Sequence, residues 1–223
     1  MERYLVTHSL LSSWLYAMRD DPYSDSTNQK DAMAEFMTTL RREPTPTNDA
    51  MQKGIDFEDL VTKIVNGTRH VQCLVDDGEL GCSYIDNRSI SEHPWYPAAK
   101  KVAGYVSGGV LQYAAKCDVR IGERNVLLYG RLDALKGGTV YDIKYSGSYD
   151  VGKFIDSTQH PMYLQIVPEA REFIYLVSNG TNVWTEKYRR EETADIRITV
   201  AHFFDWLKAQ GLDSVFCQHW LAK

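Results

Sequence analysis

A chain of 223 residues that is 43% hydrophobic and 25% charged carries enough apolar side chain to bury a core, which excludes a disordered polymer and favours one folded unit. Its formal net charge of −5 excludes a protein that holds nucleic acid by overall charge, so any such contact has to be local, through bound cations and a few Lys or Arg in one cleft. No stretch offers the roughly 20 apolar residues of a spanning helix, and the first residues lack a secretory layout, so a soluble, cytoplasmic protein without a membrane partner is expected.

From the N-terminus, residues 9–19 carry Leu10, Leu11, Trp14, Leu15 and Met18 at helical spacing, and residues 31–41 repeat the pattern with Met33, Phe36, Met37 and Leu40. The polar stretch 20–29 reads as a turn, and Pro44 and Pro46 end the second helix. Residues 54–65 predict a third helix that buries Ile55, Leu60, Ile64 and Phe57 or Val61, and that carries Glu58. A strand near residues 70–75, a polar turn over 76–81 and a helix after Trp95-Tyr96-Pro97 are weaker readings. From Val110 the character is β: three strands separated by Gly-containing turns form a meander, then a helix over 157–170 begins at Ser157 or Thr158. Strands at 172–178 and 182–190, a helix over 193–210 and a short apolar tail complete an α/β or α+β chain with a mixed sheet.

Gly137-Gly138 suits a two-residue hairpin loop, because both positions tolerate positive φ. Counting outward, Lys136 faces Thr139 and Asp133 comes to lie opposite Asp142. Two carboxylates about 5 Å apart repel unless something offsets them, and a divalent cation is a natural offset. Strand alternation puts Lys144 on the face of Asp142 and turns Tyr141, Ile143 and Tyr145 into a packed layer. An acid pair with an adjacent ammonium suits phosphodiester hydrolysis. The lysine either helps remove a proton, if its pKa is lowered, or stabilises charge on phosphorus. Taken alone, an Asp-x-Lys triplet is more often a surface ion pair.

The order of these residues resembles the PD-(D/E)XK nuclease superfamily, and within it the RecB-like exonuclease branch found in recombination enzymes, phages and CRISPR-associated proteins. Gly54-Ile55-Asp56-Phe57-Glu58 matches the helix with a G-x-x-F-E context, Gly130-Arg131-Leu132-Asp133 the G-x-x-D strand, and Asp142-Ile143-Lys144 the D/E-x-K strand. Gln159-His160-Pro161-Met162-Tyr163 matches the Q-x-x-x-Y helix. The resemblance covers about residues 54–178, with Tyr141 standing before Asp142 where many members have another residue. It implies a restriction-endonuclease-like core over 54–189, with a helical extension at 1–53 and C-terminal helices at 190–223. It further implies Mg²⁺ or Mn²⁺ held by Glu58, Asp133 and Asp142, catalysis by these with Lys144, Gln159 and Tyr163, and DNA as the partner, with room for a recombination or single-strand-binding protein.

Gln159 and Tyr163 share one helix face, from which they would reach a phosphate or the metal-bound waters; packing on the sheet is the plain alternative. Arg131, Lys136 and Lys153 are candidates for guiding a strand, and Lys100 and Lys101 follow them. Arg131 would face Lys144. Tyr129, Tyr145 and Tyr149 are candidates for base stacking, against the commoner role of strand fillers. The cysteines Cys73, Cys82, Cys117 and Cys217 form no CxxC pair and lack the spacing of iron–sulfur members, so free thiols and no cluster are expected. The Asn-x-Ser/Thr triplets at Asn66, Asn87 and Asn179 are expected to carry no glycan. His160 is the one histidine close to a motif. The competing readings are a nuclease fold that binds DNA or protein without cutting, a structure-specific endonuclease, and RNA as substrate.

Overall fold

The computed structural model describes residues 2–19, 26–77 and 82–222. In chain order the elements are β1 (Arg3–Thr7), α1 (His8–Ala17), α2 (Ser26–Leu40), α3 (Asp49–Val65), β2 (His70–Asp77), β3 (Cys82–Ser89), α4 (Tyr96–Val106) and β4 (Val110–Ile121). There follow β5 (Arg124–Lys136), β6 (Thr139–Tyr145), α5 (Gln159–Ile166), β7 (Glu172–Ser178), β8 (Val183–Arg189), α6 (Ile196–Ala209) and α7 (Asp213–His219). Six strands make a central mixed sheet flanked by helices, the α+β arrangement of a restriction-endonuclease-like core, and β2 and β3 form a separate two-stranded sheet. Among the described residues no helix is long and apolar enough to cross a membrane.

The strand β5 organises the sheet. One of its edges is taken by β4, which runs antiparallel to it from Val110↔Leu135 to Ile121↔Arg124. Its other edge is divided: β1 pairs parallel with residues 125–129, and β6 pairs antiparallel with only Ala134, Leu135 and Lys136. Beyond Ala134↔Tyr141, β6 leaves β5 and stays parallel to β7 over its whole length. Residues 130–133 of β5 therefore sit in a fork between β1 and β6. The Gly137-Gly138 turn has φ of 58° and 79°, the two positive values that a tight hairpin loop of this hand requires, and it sets the expected Lys136↔Thr139 pair.

Two layers of apolar side chains close on the sheet. In one, Leu10, Leu11 and Trp14 of α1, Phe36 and Leu40 of α2, and Phe203 and Leu207 of α6 pack with Leu128, Leu132 and Phe173. In the other, Phe57, Leu60 and Val61 of α3 and Val102 and Val106 of α4 pack with Ala134, Ile143 and Leu176, with Tyr141 and Tyr145 against them as expected. Asn48 caps α3 by accepting a hydrogen bond from Met51 N at 2.9 Å, so the helix starts at Asp49, five residues before the apolar pattern does. Its first turns are exposed, and Ile55, expected in the core, is 54% accessible.

The meander β4–β6, the strands β7 and β8 and the helix α6 stand where they were expected. The strand β1 was not anticipated: five residues that end at the Thr7 cap, with Val6 alone fully buried, give too short a pattern to read. The helix α5 is shorter than the expected 157–170. In the polar stretch 20–29, residues 26–29 belong to α2 and the rest lie outside the described residues, as do residues 78–81 of the expected turn at 76–81. The chain's two ends meet: Leu5 N donates to Trp220 O and Ala222 N to Arg3 O, both at 2.7 Å, covering the outer edge of β1.

Candidate active site

Gly130, on β5 in the fork, is a glycine for a steric reason. A Cβ built there would lie 2.2 Å from the ring of Tyr163. The missing side chain lets α5 settle on the sheet, with Tyr163 buried and its hydroxyl donating to Arg131 O at 3.1 Å. One turn earlier on α5, Gln159 is buried and its Nε2 donates to Asp142 Oδ1 at 2.5 Å. As placed, the two residues of the expected Q-x-x-x-Y face hold the carboxylate and the strand beneath them.

Asp142 is 2% accessible. Lys144 Nζ lies 2.8 Å from its Oδ2, an ion pair with this buried oxygen, which has no other hydrogen-bond partner among the described residues. Asp133 does not pair across the ladder with Asp142 as the residue count predicted, since the recorded pairing ends one rung earlier, at Ala134↔Tyr141. Its carboxylate spans the opening of the fork instead, where Oδ2 accepts from Ile143 N at 2.7 Å. The expected Arg131–Lys144 pairing is also absent: Arg131 sits exposed opposite Ala114 of β4. Glu58 comes from α3 on the other layer, and its Oε1 accepts from the side-chain amide of Gln112 on β4.

The electrostatics show how closely these groups crowd. Burial raises the Asp133 carboxyl well above the usual range, and the charges of Asp142 and Glu58 raise it further. Burial also raises Glu58; the Gln112 hydrogen bond opposes that and the Asp142 charge adds to it. For Lys144, burial alone would favour the neutral amine, but the Asp142 carboxylate outweighs it and the net shift is upward. Of the two roles open to this lysine, a charged donor is the one its surroundings favour.

Other candidates are committed elsewhere. Lys136 donates to Tyr105 O at 2.8 Å, and Lys153 donates to Ser146 Oγ at 2.7 Å and Ser148 O at 3.0 Å. Tyr145 packs on Trp95 with centroids 4.8 Å apart, and Tyr149 stacks on Trp184 and donates to Glu186. His160 belongs to the packing of β7 and β8: it stacks on Tyr188 at 3.9 Å, its Nδ1 is 3.3 Å from Tyr175 Oη, and burial pushes its pKa down to about 4. Cys117 and Cys217 are free thiols, and the side chains of Cys73 and Cys82 lie outside the described residues.

Three further residues have no counterpart among the predicted ones. His8, where β1 turns into α1, lies edge-on to Tyr163 at 5.5 Å, and burial, with the Lys144 charge, pushes its pKa down to about 4. Gln112 holds Glu58, and Glu186 ties down the segment between β6 and α5. No local signal marks any of them, because their relation to the site depends on pairing between distant strands.

Among the described residues no three His, Cys, Asp or Glu side chains converge as a ready-made metal cage. A hard divalent ion that uses one or two carboxylates and fills its remaining positions with water and substrate oxygens still fits the donor set. The mutual repulsion of Asp133, Asp142 and Glu58, beside the single ammonium of Lys144, is what such an ion would offset.

The fold is similar to that of SSO0001, known from its crystal structure, with a TM-score of 0.51 and 13% identity over 94% of this chain and 78% of that one. LHK-Exo, solved in complex with dAMP, aligns with a TM-score of 0.40 and 15% identity over 92% of this chain and 88% of that one. No protein-family model and no curated protein sequence matches the chain.

Proposed function

We propose that the protein is a divalent-metal-dependent DNA nuclease, in which residues 54–189 form the catalytic core and Asp142, Asp133, Glu58 and Lys144 carry phosphodiester hydrolysis. The observation that supports this reading most is Asp142, a buried carboxylate with one oxygen fixed by Gln159 and the other paired with the Lys144 ammonium alone, beside two further acids. Burying an acid is costly, and crowding three acids around one ammonium is costlier still, which points to a cationic ligand.

Asp142 and Asp133 would hold Mg²⁺ or Mn²⁺, with Glu58 completing the negative shell. A bound divalent ion supplies a water acidified towards hydroxide and offsets charge on the phosphate. The protein's own groups do the remaining work. Gln159 fixes Asp142 by donating to its Oδ1. Lys144, held charged by Asp142, stabilises the negative charge that builds on the phosphoryl oxygens during attack. Arg131, exposed on the fork strand, is placed to meet a phosphate of the incoming chain. Attack on DNA ends, in recombination, repair or degradation, follows from the resemblance to RecB-like exonucleases.

The test is a gel assay on end-labelled linear single- and double-stranded DNA and on closed circular DNA, with Mg²⁺, Mn²⁺ or EDTA, alongside Asp142→Asn. Degradation of linear DNA that stops in EDTA and in the variant, with circles spared, is the expected result. Cleavage that survives EDTA or Asp142→Asn, or no cleavage of any substrate, overturns the reading.

A further inference from the structure

Within the strand β4, Gln112 has φ of +51°, and among the described residues only Arg42 shares a positive φ without being glycine. Arg42 follows the end of α2, where a left-handed residue is an ordinary helix stop. Gln112 lies inside a twelve-residue strand, where the same conformation is strained for a residue that carries a Cβ. The pairs Leu111↔Ala134 and Tyr113↔Leu132 bracket it and put it on the rung of Asp133. That rung is also where the pleat inverts. On β5, Leu132 packs into the first layer, Ala134 into the second and Leu135 into the first, whereas unbroken alternation would put 132 and 134 on one face. On β4, Ala115 packs into the first layer and Leu111 into the second, although they are an even number of residues apart. The register is the same on both sides, so no residue has been inserted; the rung itself is turned.

Glycine would adopt this conformation at little cost. A glutamine there implies a use for its side chain, and the amide donates to Glu58, the one acid of the site that comes from the opposite helical layer. We propose that Gln112 is a positioning residue: its strained backbone turns the rung of Asp133 and aims the amide at Glu58, fixing that carboxylate beside Asp133 and Asp142. The role assigned to Glu58 as a cation ligand rests on the function proposed above, whereas the positioning itself does not.

Two substitutions remove the amide, one with the strain and one without. Gln112→Gly relieves the strain and removes the amide, and Gln112→Ala removes the amide and keeps the strain. Groups that orient a metal ligand typically change metal affinity or activity by about 10- to 100-fold. Both variants should therefore bind Mn²⁺ about tenfold more weakly by calorimetry and lose about tenfold or more in kcat, with KM for DNA unchanged. In a Glu58→Gln background, Gln112→Gly should leave Mn²⁺ affinity where it was. A crystal structure of Gln112→Gly grown in EDTA needs neither metal nor turnover, and should show the Glu58 carboxylate moved from its place. Glu58 unmoved in that structure overturns the proposal, as does wild-type Mn²⁺ affinity in the glycine variant or an added loss on Glu58→Gln. If the wild-type protein itself binds no Mn²⁺ and cuts no DNA, the proposed function fails, and the EDTA structure still decides the role of Gln112.

Discussion

Two acids are buried on this sheet, Asp142 on β6 and Glu186 on β8, and they are treated in opposite ways. Glu186 is 8% accessible and saturated: it accepts from Tyr149 Oη at 2.8 Å, from Phe154 N at 3.1 Å and from the Tyr188 hydroxyl. Asp142 is more deeply buried and has one hydrogen-bond donor, Gln159, with its other oxygen held by the Lys144 ammonium. The saturated acid is a structural tie that orders the segment from β6 to α5. The other sits in a cluster of charges, and its field adds to burial in raising the carboxyls of Asp133 and Glu58. Burial by itself does not separate the two; the kind of partner does, neutral donors in one case and charged groups in the other.

Exchanging charge for an isostere sharpens that contrast most. Asp142→Asn keeps the acceptor for Gln159 and should lower nuclease activity on the order of 10³-fold, while the melting temperature in EDTA stays the same or rises. A large loss of stability would place Asp142 with Glu186 as a structural acid. Glu186→Ala should do the reverse, costing about 2–4 kcal/mol in denaturant titration because three donors lose their acceptor, while the folded fraction retains most of its activity.

The pH response follows from the packed side of the comparison. His160 stacks on Tyr188, a Glu186 donor, and burial lowers its folded pKa from 6.5 to about 4. The unfolded chain therefore binds more protons in that window, and stability falls as pH drops from about 6.5 to 4, by at most about 3 kcal/mol from this group. His160→Gln should flatten that limb of a pH series of melting curves; an unchanged slope would assign the loss to other groups, His8 among them. The smallest effect expected is Gly130→Ala, about 1–3 kcal/mol, since the added methyl meets the Tyr163 ring. Adding Tyr163→Leu should recover part of that stability without recovering activity, because the room returns and the Tyr163 hydroxyl contact does not.

Most of the sheet was legible because its cues are local. The Gly137-Gly138 pair fixes the hairpin, and alternation of Tyr141, Ile143 and Tyr145 with Asp142 and Lys144 assigns both faces of β6. Asp133 was legible as a candidate, but its geometry was not: the count of residues assumes an unbroken ladder, and β6 turns away one rung too soon. Nothing in the sequence around residue 133 marks that departure, which is set by the pairing of β6 with β7. The contact of Lys136 with Tyr105 O was equally illegible, because Tyr105 belongs to a helix 31 residues earlier. Gln112 and His8 were missed because a left-handed residue other than glycine and a five-residue strand leave no composition signal.

The pairing of residues 3–7 has a consequence for how the fold forms. One arm of the fork is β1, which pairs with residues 125–129 and whose outer edge is covered by residues 220–222. Residues 3–7 must wait for β5 before they have a ladder, and for residues 220–222 before their outer edge is covered. The fork is thus closed by contacts of long sequence separation, the kind that slow folding.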